Sequence, residues 1–268
     1  MIARSTKILK KKINILNIGI DPLTQEELYR KINMSLTSKN KIKIFTPNPE
    51  IIIKASKEES LKNILNSANI LIADGSGIVL ASKLLATPIP QRLTGIDTAE
   101  YILDVASKTG LSIFLLGGKS DVVQLAKEKL EKKYKGIEIC GIHHGYFDTN
   151  GIENINLITK INNAKPDILF VCMGFPRQEI WISENLDKLH SVCLSMGLGG
   201  SLDVWSGKIK RAPLFFRKMS LEWLWRIILE PRRIKFVFQI PVFISKILRQ
   251  KETIKVSKDK IDGKNAHI

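Results

Sequence analysis

Ile168-Leu169-Phe170-Val171-Cys172-Met173 runs without a break in its apolar character into Gly174-Phe175-Pro176-Arg177-Gln178-Glu179. Successive side chains of a strand point to opposite faces, so an uninterrupted apolar run describes a strand covered on both sides, as in a parallel sheet between helices. Ile13 to Ile20, Ile42 to Phe45, Ile70 to Ala73, Leu111 to Leu116, Ile137 to Cys140 and Val192 to Met196 read the same way. Between them the pattern changes to helical spacing. Thr24 to Met34 opens with a Thr-x-x-Glu capping box (Thr24, Glu27), and Ser60 to Ala68, Thr98 to Lys108 and Ser120 to Tyr134 carry apolar residues three and four apart. Strand and helix in alternation predict an α/β fold, doubly wound around a mostly parallel sheet with flanking crossover helices.

The chain has 268 residues, 44% of them hydrophobic, enough for a full core. This excludes a disulfide-stapled miniprotein and a disordered chain. Cys140, Cys172 and Cys193 have neither metal nor redox spacing and read as buried thiols. Lys and Arg number 42 against 26 Asp and Glu, a net charge of +16, which points to phosphate, nucleic acid or an anionic membrane surface as partner. No charge-free stretch approaches the roughly 18 apolar residues of a spanning helix. The basic N-terminal extension, residues 1–12, lacks the apolar core of a secretory signal, so a cytoplasmic location is expected.

The charge concentrates at one end. From Gly207 onward there are 16 Lys and Arg against 5 Asp and Glu. Phe216, Met219, Trp223 and Ile227 form one stripe at helical spacing, surrounded by Arg217, Lys218, Arg226, Arg232 and Arg233; Pro231 then interrupts, and Phe236 to Leu248 resumes as a second apolar and basic stretch. Such a segment suits an anionic bilayer, rings at headgroup level and cations on lipid phosphates. The same pattern fits a helical hairpin packed on the domain, and an apolar stripe not covered by lipid would need self-association, a homo-oligomer, to hide it. The expected organisation is a Rossmann-like α/β domain over residues 13–206, a basic amphipathic membrane-binding appendage over 207–250 and a polar, disordered tail over 251–268.

In a doubly wound sheet, ligands collect at the carboxyl ends of the strands. Thr46-Pro47-Asn48-Pro49-Glu50 follows one apolar run, two prolines stiffening a turn that presents a hydroxyl, an amide and a carboxylate. Asp74-Gly75-Ser76-Gly77 follows the next, a carboxylate flanked by glycines that let a bulky ligand approach. Gly174 to Glu179 and Gly197-Leu198-Gly199-Gly200-Ser201-Leu202-Asp203 follow two others. The latter departs from G-x-G-x-x-G, and Leu116-Gly117-Gly118-Lys119 departs from the Walker pattern, so neither a dinucleotide fingerprint nor a P-loop is present. Gly117 and Gly118 can still cradle a diphosphate through backbone N–H groups at a helix start. Metal binding has little support: His143 and His144 are adjacent, with rings on opposite faces if the segment is extended, and no Asp-x-Asp occurs.

Taken in order, Thr46-Pro47-Asn48-Pro49-Glu50, Ala73-Asp74-Gly75-x-Gly77, Gln91-Arg92-Leu93-Thr94-Gly95-x-Asp97, Gly141-x-x-x-Gly145-Tyr146-Phe147, Met173 to Glu179, Gly207-x-x-x-Arg211-Ala212-Pro213, Glu222-Trp223-Leu224-Trp225-Arg226 and Glu230-Pro231-Arg232-Arg233 resemble the WecG/TagA/CpsF glycosyltransferases (glycosyltransferase family 26). The resemblance implies a Rossmann-like fold with an appendage that reaches the membrane and helps close the active site. It further implies an inverting, metal-independent transfer of N-acetylmannosamine from UDP-ManNAc to undecaprenyl-diphospho-GlcNAc, giving a β1,4-linked disaccharide lipid for wall teichoic acid or a related surface polymer. UDP-ManNAcA or another UDP-hexose is the alternative donor within the family.

Roles follow from the motifs and the chemistry together. Asp74 matches the family's base, which deprotonates the acceptor 4-hydroxyl. Thr46 and Asn48 are expected on a sugar, Arg92 and Gln178 on the diphosphate or sugar hydroxyls, Asp203 on ribose or uracil. Arg226, Arg232 and Arg233 would come from the appendage to neutralise phosphates, so no cofactor or metal is expected. The expected location is the inner face of the bacterial cell membrane, peripherally bound. A nucleic-acid-binding protein using the basic tail is the competing class, but no RRM, helix-turn-helix or zinc pattern supports it, and no nucleic acid partner is expected.

Overall fold

The structure, a computed structural model, describes residues 10–265; residues 1–9 of the N-terminal extension, and the side chains of Arg232, Arg233, Phe236 and residues 256–265, lie outside the description. The strands are β1 (Ile13–Ile15), β2 (Ile18–Ile20), β3 (Ile42–Phe45), β4 (Ile70–Leu71), β5 (Ser112–Gly117), β6 (Glu138–His143), β7 (Ile168–Cys172) and β8 (Leu194–Gly197). β3 to β8 form one six-stranded parallel sheet in the order β4-β3-β8-β7-β5-β6. Helices cover both faces, so alternate residues of one strand serve two cores. Phe114 and Leu116 of β5 pack with Phe45, Leu169 and Trp181 on one side, while Ile113 and Leu115 pack with Ile44, Phe170 and Met196 on the other. This is the doubly wound α/β architecture that the unbroken apolar runs predict.

Ile13 to Ile20 is the exception. It forms an antiparallel hairpin, Ile15 opposite Ile18, with Leu16 (φ 51°) and Asn17 (φ 66°) both left-handed at the turn. Two left-handed central residues make a primed hairpin turn. Asn suits such a position and Leu does not, which is why the run reads as one strand. The hairpin then closes the edge of the sheet: Asp21 donates its N–H to Leu71 O at 2.9 Å and accepts the Leu71 N–H on Oδ2 at 2.8 Å.

The helix Gln25–Ser38 begins as its capping box requires, with both reciprocal Thr24 and Glu27 bonds in place. Helices Glu59–Asn66, Gly95–Thr109 and Ser120–Lys133 lie where the spacing predicts. Four further helices, Pro49–Ala55, Ser76–Leu84, Ile152–Ala164 and Arg177–Asn185, were not anticipated from the spacing. Three of the four start inside Gly- and Pro-rich motifs that read as turns.

The C-terminal region differs most from expectation. The apolar stripe is divided between two short helices, Leu214–Lys218 and Glu222–Leu229, by a left-handed Ser220 (φ 59°). A 3₁₀ turn over Pro231–Phe236 leads into one long helix, Gln239–Asn265, which accepts Pro241 in its first turn. Residues 251–265, read as a disordered tail, are helical. Phe243 and Ile247 of this helix are buried in the core, against the cluster containing Ile52 and Ile78. Gln250 bonds the hairpin, accepting the Leu16 N–H at 3.0 Å and donating to Asn14 O at 2.9 Å. The basic segment is therefore a strap fixed to the domain at both ends.

Candidate functional site

The carboxyl ends of the strands converge on two adjoining groups of residues. The first gathers around Asp74, two residues beyond the buried Ile72 that extends β4. Its turn is held from both sides, Asp74 N–H donating to Pro47 O at 3.3 Å and Leu93 N–H donating to Ala73 O at 3.2 Å. A Cβ on Gly77 would lie 2.5 Å from the Pro49 ring, so the glycine permits the two motif loops to touch. Asp74 is half-buried, and burial pushes its carboxyl above the ordinary carboxylate range. Arg226 and Arg92 oppose that shift, as does the Gly95 N–H, while Asp97 reinforces it. Arg92 in turn pairs with Glu222 of the appendage, both partners largely shielded from solvent. Arg226 is exposed, and its charge bears on the carboxylate.

Thr46 and Asn48 follow β3. Thr46 Oγ1 donates to Gly197 O at 3.4 Å, linking the ends of β3 and β8. Asn48 caps the helix Pro49–Ala55 by accepting the Ile51 N–H on Oδ1 at 3.0 Å. That leaves its Nδ2 group to address a ligand. Gln178 is only 3% exposed, and its carboxamide faces the protein. The Oε1 atom accepts from Gly199 N–H at 2.9 Å and Gly174 N–H at 3.2 Å, and Nε2 donates to Glu179 Oε1 at 2.9 Å. Gln178 thus ties the turns after β7 and β8 together. Glu179 is 2% exposed, its Oε2 has no partner among the described residues, and burial pushes its carboxyl up to about 7.

The second group lines a cleft of about 380 Å³ bounded by Gly118, Lys119, Gly145, Gly174, Arg177 and Asp203, with Lys208 at its edge. It opens where the crossovers leave β5 toward β6 and β7 toward β8, the reversal at which α/β sheets form ligand crevices. Gly117 holds φ 138°, and a Cβ there would lie 2.2 Å from Cys172 O, so only glycine lets β5 leave the sheet so close to β7. The Gly118 N–H donates to Cys172 O at 3.1 Å and its carbonyl accepts from Gly145 N–H at 2.8 Å. That peptide cannot also cradle a diphosphate through its N–H. The glycines make room, and Lys119, Arg177 and Lys208 supply the positive charge. Arg177 also pins the loop after β6, donating to the Gly145 and Phe147 carbonyls.

Asp74, Arg92, Thr46 and Arg226 are therefore brought together, and Gly118 and Asp203 share the neighbouring cleft. Arg232 and Arg233 have side chains outside the described residues. The sequence reading placed Glu222 and Arg211 in family motifs but gave neither a role; Glu222 pairs with Arg92, and Arg211 pairs with Asp97 and Glu100. The histidine rings do not diverge: β6 ends at His143, and the rings lie 4.4 Å apart. His143 Nδ1 donates to His144 O, and His144 Nδ1 accepts from Tyr146 N–H, so the loop itself occupies both Nδ1 atoms. Among the described residues no three His, Cys, Asp or Glu side chains are grouped to hold a metal ion. Nor is any described helix long and apolar enough to cross a membrane. A larger open trough, about 1110 Å³, follows the helix Gln25–Ser38 and includes only Gln91 of the motifs above.

Comparison with known proteins agrees with the motifs. The model of the glycosyl transferase WecG/TagA/CpsF family matches residues 13–256. Two relatives from Staphylococcus aureus, strains NCTC 8325 / PS 47 and COL, carry the name N-acetylglucosaminyldiphosphoundecaprenol N-acetyl-beta-D-mannosaminyltransferase. Each is 36% identical to this chain over 249 residues, covering 92% of this chain and 96% of the relative.

Proposed function

This chain belongs to the WecG/TagA/CpsF family of glycosyl transferases, and from that premise we propose that it transfers N-acetylmannosamine from UDP-ManNAc to undecaprenyl-diphospho-GlcNAc. The observation that carries the reading is Asp74, a carboxylate at a strand end with raised proton affinity and two guanidinium groups around it. A base must bind a proton well enough to take it from a hydroxyl, and burial provides that. The departing diphosphate must be met by positive charge, and Arg226, Arg92 and the cleft cations provide it.

In this mechanism Asp74 takes the proton of the acceptor 4-hydroxyl as its oxygen attacks the anomeric carbon. The bond from that carbon to the phosphate oxygen breaks on the opposite side, UDP leaves with the electron pair, and configuration inverts. The nucleotide occupies the cleft beside Gly118, with Asp203 toward ribose or uracil and Lys119, Arg177 and Lys208 near its phosphates. Thr46 and the Asn48 amide hold the sugars between cleft and base. Arginine and lysine do the electrostatic work without a metal. Gln178 acts by setting the two turns that border the cleft.

The lipid acceptor requires a bilayer nearby. Leu214, Phe215, Met219 and Phe238 are exposed on the strap, at 62%, 67%, 58% and 72%, among many Lys and Arg. This supports peripheral association with an anionic membrane surface, on the cytoplasmic face where UDP-sugars are available. The test is a panel of UDP-sugars against one synthetic GlcNAc-diphospho-lipid. Transfer from UDP-ManNAc in preference to UDP-ManNAcA and UDP-glucose is expected; a strong preference for another donor would overturn the substrate assignment.

A further inference from the structure

Three acidic and four basic side chains meet where the strap crosses the domain. Arg92 feels Asp74, Asp97 and Glu222 as opposite charges and Arg211 and Arg226 as like charges. Arg211 pairs with Asp97, and Arg217 bears on Asp97 as well. The helix Glu222–Leu229 brings two of these groups, Glu222 and Arg226, four residues apart and therefore on one face. Opposite them stand Arg92 and Asp74, the complementary pair. Arg226 alone would approach this site against the repulsion of Arg92 and Arg211. Glu222 removes that obstacle, and its ion pair is shielded enough from water to matter.

We infer that Glu222 is a positioning residue for the transfer reaction, its carboxylate holding the Arg92 guanidinium and thereby seating the helix that brings Arg226 to Asp74. Other contacts guide the strap but do not replace this one. Ser76 Oγ donates to Ser220 O at 3.4 Å, and Trp225 Nε1 donates to Lys210 O at 3.1 Å. Neither provides negative charge. Without Glu222 the helix loses its anchor and Arg226 is no longer held at Asp74, so the field there becomes less positive, the proton affinity of the carboxylate rises and the leaving diphosphate loses a cation. Asp74 is faced there by Arg226, Arg92, Asp97 and the Gly95 N–H.

The inference rests on the glycosyl-transfer reading for its rate consequences but not for its structural one, so two measurements on the full-length enzyme separate them. Hydrogen exchange of the substrate-free chain reads the tether directly. In Glu222→Gln, amides of Glu222–Leu229 should exchange on the order of tenfold faster, with the sheet unchanged, and Glu222→Asp should recover at least half of the protection. The pH profile of kcat reads the field. Its acid limb should move up by about 0.5 pH unit in Glu222→Gln, with kcat lower by about tenfold and liposome binding retained. Unchanged exchange in Glu222→Gln overturns the inference whatever the rates do. Protection lost throughout the chain overturns it too, because Glu222 would then be supporting the fold. If wild-type enzyme failed to transfer the sugar, the substrate reading alone would fall, since exchange still decides the tether.

Discussion

The backbone N–H of Gly95 donates to Asp74 Oδ2 at 3.4 Å, and Gly95 is the first residue of the helix Gly95–Thr109. The carboxylate therefore faces the positive end of a helix as well as Arg226 and Arg92. Burial outweighs all three and leaves the carboxyl above its ordinary range. A base works in its deprotonated form, so the rate must rise with pH as Asp74 loses its proton. The acid limb of kcat should accordingly lie above the usual Asp value of about 3.9. An acid limb at or below that value would mean that the two arginines win.

The same shift predicts a separation of stability from activity. A carboxyl whose folded pKa is raised favours the fold fully below its unfolded pKa, and that contribution is lost as pH rises through the folded pKa. At neutral pH the charged Asp74 therefore burdens the fold. Asp74→Asn should melt at the same or a higher temperature than wild type while kcat falls by about 10²- to 10⁴-fold. A folded Asp74→Asn enzyme with wild-type turnover would remove Asp74 as base.

Glu179 gives a second pH dependence with a defined window. Its carboxyl is raised from 4.5 to about 7 by burial, with only Gln178 and its own backbone N–H opposing. Wild-type stability should fall as pH rises from about 4.5 through about 7, by on the order of 3 kcal/mol. Glu179→Gln keeps the shape and an acceptor for Gln178, so thermal melts across this range should lose that slope. Equal slopes for both proteins would show that Glu179 titrates with a normal pKa.

How far these features are legible in the sequence depends on the residues. The sheet is readable because runs such as Ile168 to Cys172 are apolar on both faces, and only a doubly covered strand accommodates that. The Asp74 motif is readable because a carboxylate among glycines at a strand end has few structural purposes. The Gln178 and Gly118 arrangements are not, because whether a carboxamide or a peptide faces ligand or protein depends on chain segments distant in sequence. Gln178 bonds to Gly199, and Gly118 bonds to Cys172. Phe243 and Ile247 look the same in sequence as the exposed Phe215 and Phe238; burial of the former is decided by helices near residues 49–55 and 76–84.

That last contrast can be measured. Phe243→Ala removes a side chain that is 1% exposed and should destabilise the fold by about 3–5 kcal/mol, seen in denaturant unfolding. Phe215→Ala and Phe238→Ala remove side chains that are 67% and 72% exposed, and stability should change by less than about 0.5 kcal/mol. The double variant Phe215→Ala/Phe238→Ala should instead bind liposomes containing anionic lipid several-fold more weakly. Liposome binding that follows Phe243 and ignores Phe215 and Phe238 would relocate the membrane face.

Leaving-group stabilisation by arginine rather than metal makes two demands that must hold together. Enzyme incubated with EDTA and assayed without divalent cation should retain its rate, because Arg226, Arg92 and the cleft lysines carry the compensating charge. Arg226→Ala should then lower kcat by about 10²-fold, the scale of one preorganised donor to developing charge. Arg226→Lys should recover only part of this, since an ammonium is a point charge where a guanidinium makes paired bonds to a phosphate. Added manganese should rescue neither variant. If chelation silenced the wild type and manganese restored it, the developing charge would rest on a cation other than these side chains, and Arg226 would keep only its effect on the proton affinity of Asp74.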